Sequence, residues 1–207
     1  MTKKTQPKDG ELFVVAGASR SGKTWKTLLM VEKARRAIVW DVEAQFCEKP
    51  GFKKISTRQE LLNIAAHHKG PGKFAFVPGG DLKKTFDFFC ACALYWARYC
   101  GPCSIVLEEV ADVSTPAKAP DNYGILLRRG LKRGATIYAI SQRWAEADKT
   151  AIGNASKFII FRTIGDDTAY MARKTSTPIE KLQGLKPLDY VIVDASNGKT
   201  TTGRLKS

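Results

Sequence analysis

Gly17-Ala18-Ser19-Arg20-Ser21-Gly22-Lys23-Thr24 follows the apolar run Leu12-Phe13-Val14-Val15-Ala16 and leads into Trp25-Lys26-Thr27-Leu28-Leu29-Met30-Val31. The order is strand, glycine-bounded loop, helix, with the spacing G-x-x-x-x-G-K-T of a phosphate-binding loop. Each residue type has a physical task. Gly17 and Gly22 let the backbone curl, so that the successive N–H groups of the loop converge on an anion. The helix N-terminus adds partial positive charge beneath the phosphates. Lys23 is placed to reach the β- and γ-phosphates of a nucleoside triphosphate, and the Thr24 hydroxyl to bind Mg²⁺.

The rest of the 207 residues reads as a frame for that loop. Ala37-Ile38-Val39-Trp40-Asp41 is a second buried strand ending in an acid, and Asp41-Val42-Glu43 opens a loop closed by Pro50-Gly51. Thr57 and Glu60 have capping-box spacing at the start of a helix. A short strand, Phe74-Ala75-Phe76-Val77, precedes a long helix that Asp81 caps and Gly101-Pro102 stops. Ser104-Ile105-Val106-Leu107 ends in Glu108-Glu109, and a loop over 113–122 leads to a basic helix carrying Arg128, Arg129, Lys132 and Arg133. Strands follow over 135–140 and 158–162, with a helix over 166–174 between the latter and a hairpin turning at Asn197-Gly198. Apolar strands alternating with helices predict an α/β domain over 11–207: a mainly parallel sheet with helices on both faces and a C-terminal β-hairpin at one edge. Residues 1–10 form a basic arm, polar where a secretory signal would be apolar.

Composition narrows the partners. Lys and Arg number 34 against 20 Asp and Glu, a formal net charge of +14, which favours a polyanion because each phosphate contact releases counterions. The most apolar run, from Phe86 to Tyr99, is broken by Asp87 and Arg98 and is shorter than the ~20 residues of a membrane span. Of the five cysteines, Cys100 and Cys103 have C-x-x-C spacing, but Cys90 and Cys92 sit two apart on a helix and point different ways. A four-thiolate metal site is not expected, and the cysteines read as small buried side chains.

Hydrolysis of a triphosphate requires a metal, a base that orients water, and charge that stabilises the γ-phosphoryl group. Ligands of such sheets collect at the carboxyl ends of the strands. Glu108 is there to hold the Mg²⁺ shell, Glu109 to polarise the attacking water, and Gln142 to bond the γ-phosphate or its water.

Glu108-Glu109, Arg128-Arg129-Gly130-Leu131-Lys132-Arg133-Gly134 and Ser141-Gln142-Arg143 together resemble the FtsK–HerA superfamily of ring-forming, DNA-pumping ATPases. Asp41-x-Glu43, and Phe161-Arg162 with Asp166-Asp167, are similar to further elements of that family, so the resemblance runs from about Glu11 to Arg173. Trp144 stands where the family usually has Pro, and Glu108 where Asp is commoner. The resemblance implies a single-domain P-loop NTPase of RecA/ASCE-like type that binds ATP and Mg²⁺ and forms a homo-oligomeric ring such as a hexamer around double-stranded DNA. It implies an arginine finger supplied from the adjacent subunit, with Arg129 first, Arg128 next and Arg162 behind them. DNA would be held by its phosphates, the basic turn Lys69 to Lys73 and the loop around Lys118 being candidate contacts. A minimal basic core of this kind looks like the genome-packaging ATPases of tailless double-stranded DNA viruses with an internal membrane. It would work at the packaging vertex of the virion and in the host cytoplasm, beside vertex, portal or membrane proteins. A cellular DNA-repair translocase and a nucleotide-dependent assembly switch are the alternatives.

Overall fold

The computed structural model describes residues 9–117 and 119–206. Nine strands form one sheet: β1 (Leu12–Ala16), β2 (Arg36–Trp40), β3 (Lys53–Ile55), β4 (Gly72–Phe76), β5 (Ser104–Leu107), β6 (Thr136–Ser141), β7 (Lys157–Phe161), β8 (Asp189–Asp194) and β9 (Thr200–Arg204). Their order across the sheet is β3-β4-β2-β5-β6-β1-β7-β8-β9. β3 through β7 pair in parallel, and β8 and β9 close the edge as an antiparallel hairpin. The expected architecture is therefore present. The loop between β1 and α1 (Lys23–Val31) lies near the middle of the sheet, at the carboxyl ends of the strands.

Alternation along each central strand feeds two cores. Leu12, Val14 and Ala16 face one side with Ile38, Trp40, Ile105 and Leu107, while Phe13 and Val15 face the other with Val39 and Val106. The first side carries nearly all the helices: α2 (Arg58–His67), α3 (Leu82–Cys100), α4 (Val110–Val113), α5 (Asp121–Leu131), α6 (Lys149–Asn154), α7 (Asp166–Thr175) and α8 (Ile179–Gln183). The second is covered chiefly by α1 and by the chain around Phe46. Helices do occupy both faces, but very unequally.

Local signals behave as the residues dictate. Thr57 and Glu60 form the reciprocal capping box of α2, and the Asp81 carboxylate accepts the Lys84 N–H at the start of α3. Trp40 is fully buried, its ring centroid 5.1 Å from Phe86 and 5.7 Å from Phe89, which locks α3 to the sheet. Cys90 and Cys92 are both buried because α3 is enclosed between the sheet, α2 and α5.

Candidate nucleotide site

The loop after β1 is shaped by two glycines that nothing larger could replace. A Cβ on Gly17 would lie 2.5 Å from Ser21 Oγ and 2.7 Å from Phe161 Cβ. Gly22 has φ 110°, and a Cβ there would meet Leu205 Cδ1 at 2.8 Å. The Ala18 N–H donates to the Arg162 carbonyl at 2.8 Å, tying the loop to the end of β7. Inside it, Lys23 is buried and its Nζ donates to the Ala18 carbonyl at 3.0 Å. Burial lowers its pKa, while the nearby charges of Glu109 and Glu108 oppose that shift. The Ser21 hydroxyl is buried with no hydrogen-bond partner among the described residues. An unpaired donor is costly in a closed core and useful in a cradle that receives phosphate oxygens.

The end of β5 supplies two carboxylates in different environments. Glu108 is 3% exposed; its Oε1 accepts the Thr24 hydroxyl at 3.3 Å, and its Oε2 has no partner among the described residues. Its pKa lies well above the usual carboxylate range, because of burial first and the adjacent Asp41 second. Asp41 is itself fully committed: it is buried and accepts the backbone N–H groups of Gln45, Phe46 and Cys47 at 2.8 to 3.1 Å. A free buried carboxylate oxygen beside a threonine hydroxyl is a set of hard donors suited to Mg²⁺, which keeps several of its own waters. The residues present fit that ion.

Glu109 is different. It stands at φ 44°, ψ 54°, a left-handed conformation that costs a non-glycine residue ~1 kcal/mol or more. Its carboxylate accepts the Gln142 side-chain amide at 3.0 Å and the Gln142 backbone N–H at 3.3 Å. The strained turn therefore brings the end of β5 to the end of β6. Behind Gln142, Trp144 is buried with its indole N–H on the Val15 carbonyl at 2.9 Å, and Asp167 accepts the Ala145 N–H at 3.0 Å. Trp144 thus anchors the loop to β1, and its presence where a Pro was expected leaves the loop firmly held.

Ser21, Lys23, Thr24, Glu108, Glu109 and Gln142 share one cleft of ≈ 450 Å³, with Arg20, Glu43 and Leu188 also on its walls. Leu188 comes from the start of the C-terminal hairpin; its N–H donates to the Ser21 carbonyl at 3.2 Å. The cleft can cradle a phosphate chain, hold a hard cation beneath it and present a carboxylate to a water above it.

No protein-family model matches the chain. Genome-packaging NTPase B204 of Sulfolobus turreted icosahedral virus 2, solved with AMPPCP, superposes with a TM-score of 0.77 at 13% identity, covering 96% of this chain and 99% of that one. The fold is that of a P-loop NTPase. VirB4 of Thermoanaerobacter pseudethanolicus has a TM-score of 0.66 at 10% identity and covers 100% of this chain and 98% of that one. The likeness to these solved structures is one of fold. In sequence, Protein P9 of Pseudoalteromonas phage PM2 is 28% identical over 140 residues, 67% of this chain. The match spans 62% of that phage protein's own length.

The structure brings together Gly17, Ala18, Ser19, Arg20, Ser21, Gly22, Lys23, Thr24, Glu108, Glu109 and Gln142, all at the carboxyl ends of adjacent strands. It does not bring Arg128 and Arg129 to them. Both are exposed near the end of α5, which runs into β6 at the opposite edge, where Leu131 accepts the Gly10 N–H. Arg162 lies at the same end as the cleft, one residue past β7. Lys69 to Lys73 also lies at the far edge, and Lys118 falls outside the described residues. No group of three or more His, Cys, Asp or Glu side chains could hold a metal ion among the described residues, and no helix among them is long and apolar enough to cross a membrane. Sequence reasoning missed Leu188 and the anchoring by Asp167, since both act across long chain separations that no local pattern marks.

Proposed function

We propose that this chain is a DNA-translocating ATPase that drives double-stranded viral DNA into a preformed capsid, acting as a homo-oligomeric ring. The observation that carries the reading is Glu109, fixed by Gln142 in a strained turn across the cleft from Lys23. A loop that only bound nucleotide would need neither the strain nor the second strand's glutamine.

ATP with Mg²⁺ supplies the transferable γ-phosphoryl group and the charge that balances it. Lys23 binds the outer phosphates, giving up its bond to the Ala18 carbonyl. Thr24 and Glu108 would hold the cation, which would supply charge to balance the γ-phosphoryl group. Glu109 orients and deprotonates the attacking water, and Gln142 carries the state of that water to the loop behind it. Arg129 or Arg128 reaches the cleft from a neighbouring copy, because in their own subunit both sit on the wrong edge.

The packaging role is supported by likeness over nearly the whole chain to an NTPase of that role, and by the net charge of +14, which suits a polyanionic cargo. Steady-state phosphate release with and without duplex DNA tests it. Hydrolysis stimulated by DNA of any sequence is expected; tight ATP binding with no turnover would favour an assembly switch.

A further inference from the structure

The edge of the sheet opposite the cleft is lined by four loops that meet in space: 32–35 before β2, 68–71 before β4, 101–103 before β5 and 132–135 before β6. Direct contacts join them. Arg36 Nε donates to the Lys69 and Gly70 carbonyls at 3.1 and 3.2 Å, the Gly72 N–H to Arg35, and the Thr136 N–H to Cys103, both at 2.9 Å. With the first residues of the strands, these loops carry Lys33, Arg35, Arg36, Lys69, Lys73, Lys132 and Arg133 against one acid, Glu32. None of the seven cations is in an ion pair among the described residues. Between them opens a hollow of ≈ 400 Å³ floored by Cys103, Ser104, Gly134 and Thr136.

We propose that this edge is a binding face for the phosphate backbone of duplex DNA. The inference rests on the reading of the chain as a DNA motor and says where the duplex is gripped. Unpaired cations at this density repel one another, and they are stabilised when a polyanion replaces their counterions. Between them stand Gly70-Pro71-Gly72, Gly101-Pro102 and Gly134, where the glycines carry no side chain to hold off a convex backbone. An anionic membrane is the poorer fit, since stable surface binding to lipid draws on inserted apolar groups as well as on charge. The exposed large apolar residues lie on α1, α2 and the last turns of α3 and after β7, and none is in the four loops. The geometry also gives the edge a connection to the cleft. β2, β5 and β6 each begin in one of the loops and end beside Asp41, Glu108-Glu109 or Gln142, a span of roughly 15–20 Å.

The test compares the full chain with two variants of equal net charge. One removes Lys33, Arg35, Lys132 and Arg133 by alanine substitution; the other removes Lys49, Lys83, Lys174 and Lys186, exposed cations elsewhere. Binding of a 30-base-pair duplex is followed by fluorescence anisotropy across a salt series, and retention of the ATP-induced rise in Tm shows that each variant is folded. The edge variant should lose on the order of 10²-fold in affinity at 0.1 M salt, its log–log salt slope shrinking by about 3 to 4. The control should stay within a few-fold of the parent. Equal loss in both variants, or an edge variant that binds like the parent, overturns the proposal while leaving the motor reading intact. A parent chain that fails to bind duplex at all overturns both. Retained DNA binding by the edge variant with lost binding to phosphatidylserine vesicles would assign the face to membrane and also overturn it.

Discussion

Gln142 holds Glu109 by two hydrogen bonds, from its side-chain amide at 3.0 Å and its backbone N–H at 3.3 Å. A carboxylate that is fixed in this way cannot drift toward the Lys23 ammonium, although the two are near enough for the charge of Glu109 to oppose the lowering of the lysine's pKa by burial. In Glu109→Gln, ATP should remain bound and hydrolysis should fall about 10²- to 10⁴-fold, the range of general-base contributions. Phosphate release and the ATP-induced shift in Tm separate the two effects. Ordinary turnover would transfer the base role to Glu108.

Lys23→Ala removes the buried cation of the cradle. Hydrogen bonds from charged groups contribute about 1.5–3 kcal/mol each, so ATP affinity should drop by about 10- to 100-fold or more. Equilibrium titration with a fluorescent ATP analogue measures this. Affinity within two-fold of the parent would mean that the phosphates bypass Lys23.

Glu108 gives a pH signature. Its carboxyl holds a proton more tightly in the folded chain than in the unfolded one, owing to burial and then to Asp41. The contribution of Glu108 to the nucleotide-free fold is therefore greatest at low pH and declines as pH rises from the ordinary carboxylate range through the raised pKa. Glu108→Gln cannot ionise, so it should raise the Tm of the free protein and flatten that decline, while lowering Mg²⁺-dependent turnover. Thermal unfolding from pH 5 to 9 checks the sign; a decline with the same slope in the variant would refute it.

Trp144 is an all-or-none anchor, buried with its indole on the Val15 carbonyl. Trp144→Ala should cost about 3–5 kcal/mol of stability by emptying a core site. Trp144→Phe should keep most of the packing but free the loop bearing Gln142, reducing turnover more than stability. Denaturant unfolding and ATPase rates on the two variants distinguish these effects.

If an arginine crosses from copy to copy, two dead variants should partly revive one another. Arg129→Ala and Glu109→Gln, mixed before assembly, create some interfaces with both groups intact. Activity above that of either alone is expected, since a finger in trans is worth 10³–10⁵ in the best-studied NTPases. No recovery despite demonstrated co-assembly, with the same result for Arg128→Ala, would rule out a shared site using α5.

Much of this was legible because it is local. The loop from Gly17 to Thr24, the box at Thr57 and Glu60, and the acids ending β5 each depend on spacing within a few residues. β3 went unread because two of its three residues are lysines, as suits an exposed edge strand. The short helices α4, α6 and α8 are too brief to show a period. The side of Arg128 and Arg129 could not be read from the motif, since it depends on the direction in which α5 enters β6. The contact between Leu188 and Ser21 spans most of the chain and has no local mark.

Leu205, near the end of the last strand, is 5% exposed and would be the first atom struck by any side chain at Gly22. Its N–H donates to the Leu188 carbonyl at 3.0 Å, and Leu188 in turn bonds Ser21, so the segment after β9 is stitched to the bed on which ATP would lie. For anyone producing the protein, this makes Leu205 a poor position for a truncation. A deletion that stops short of Leu205 would be felt first as slackness in the grip on nucleotide, well before the sheet came apart.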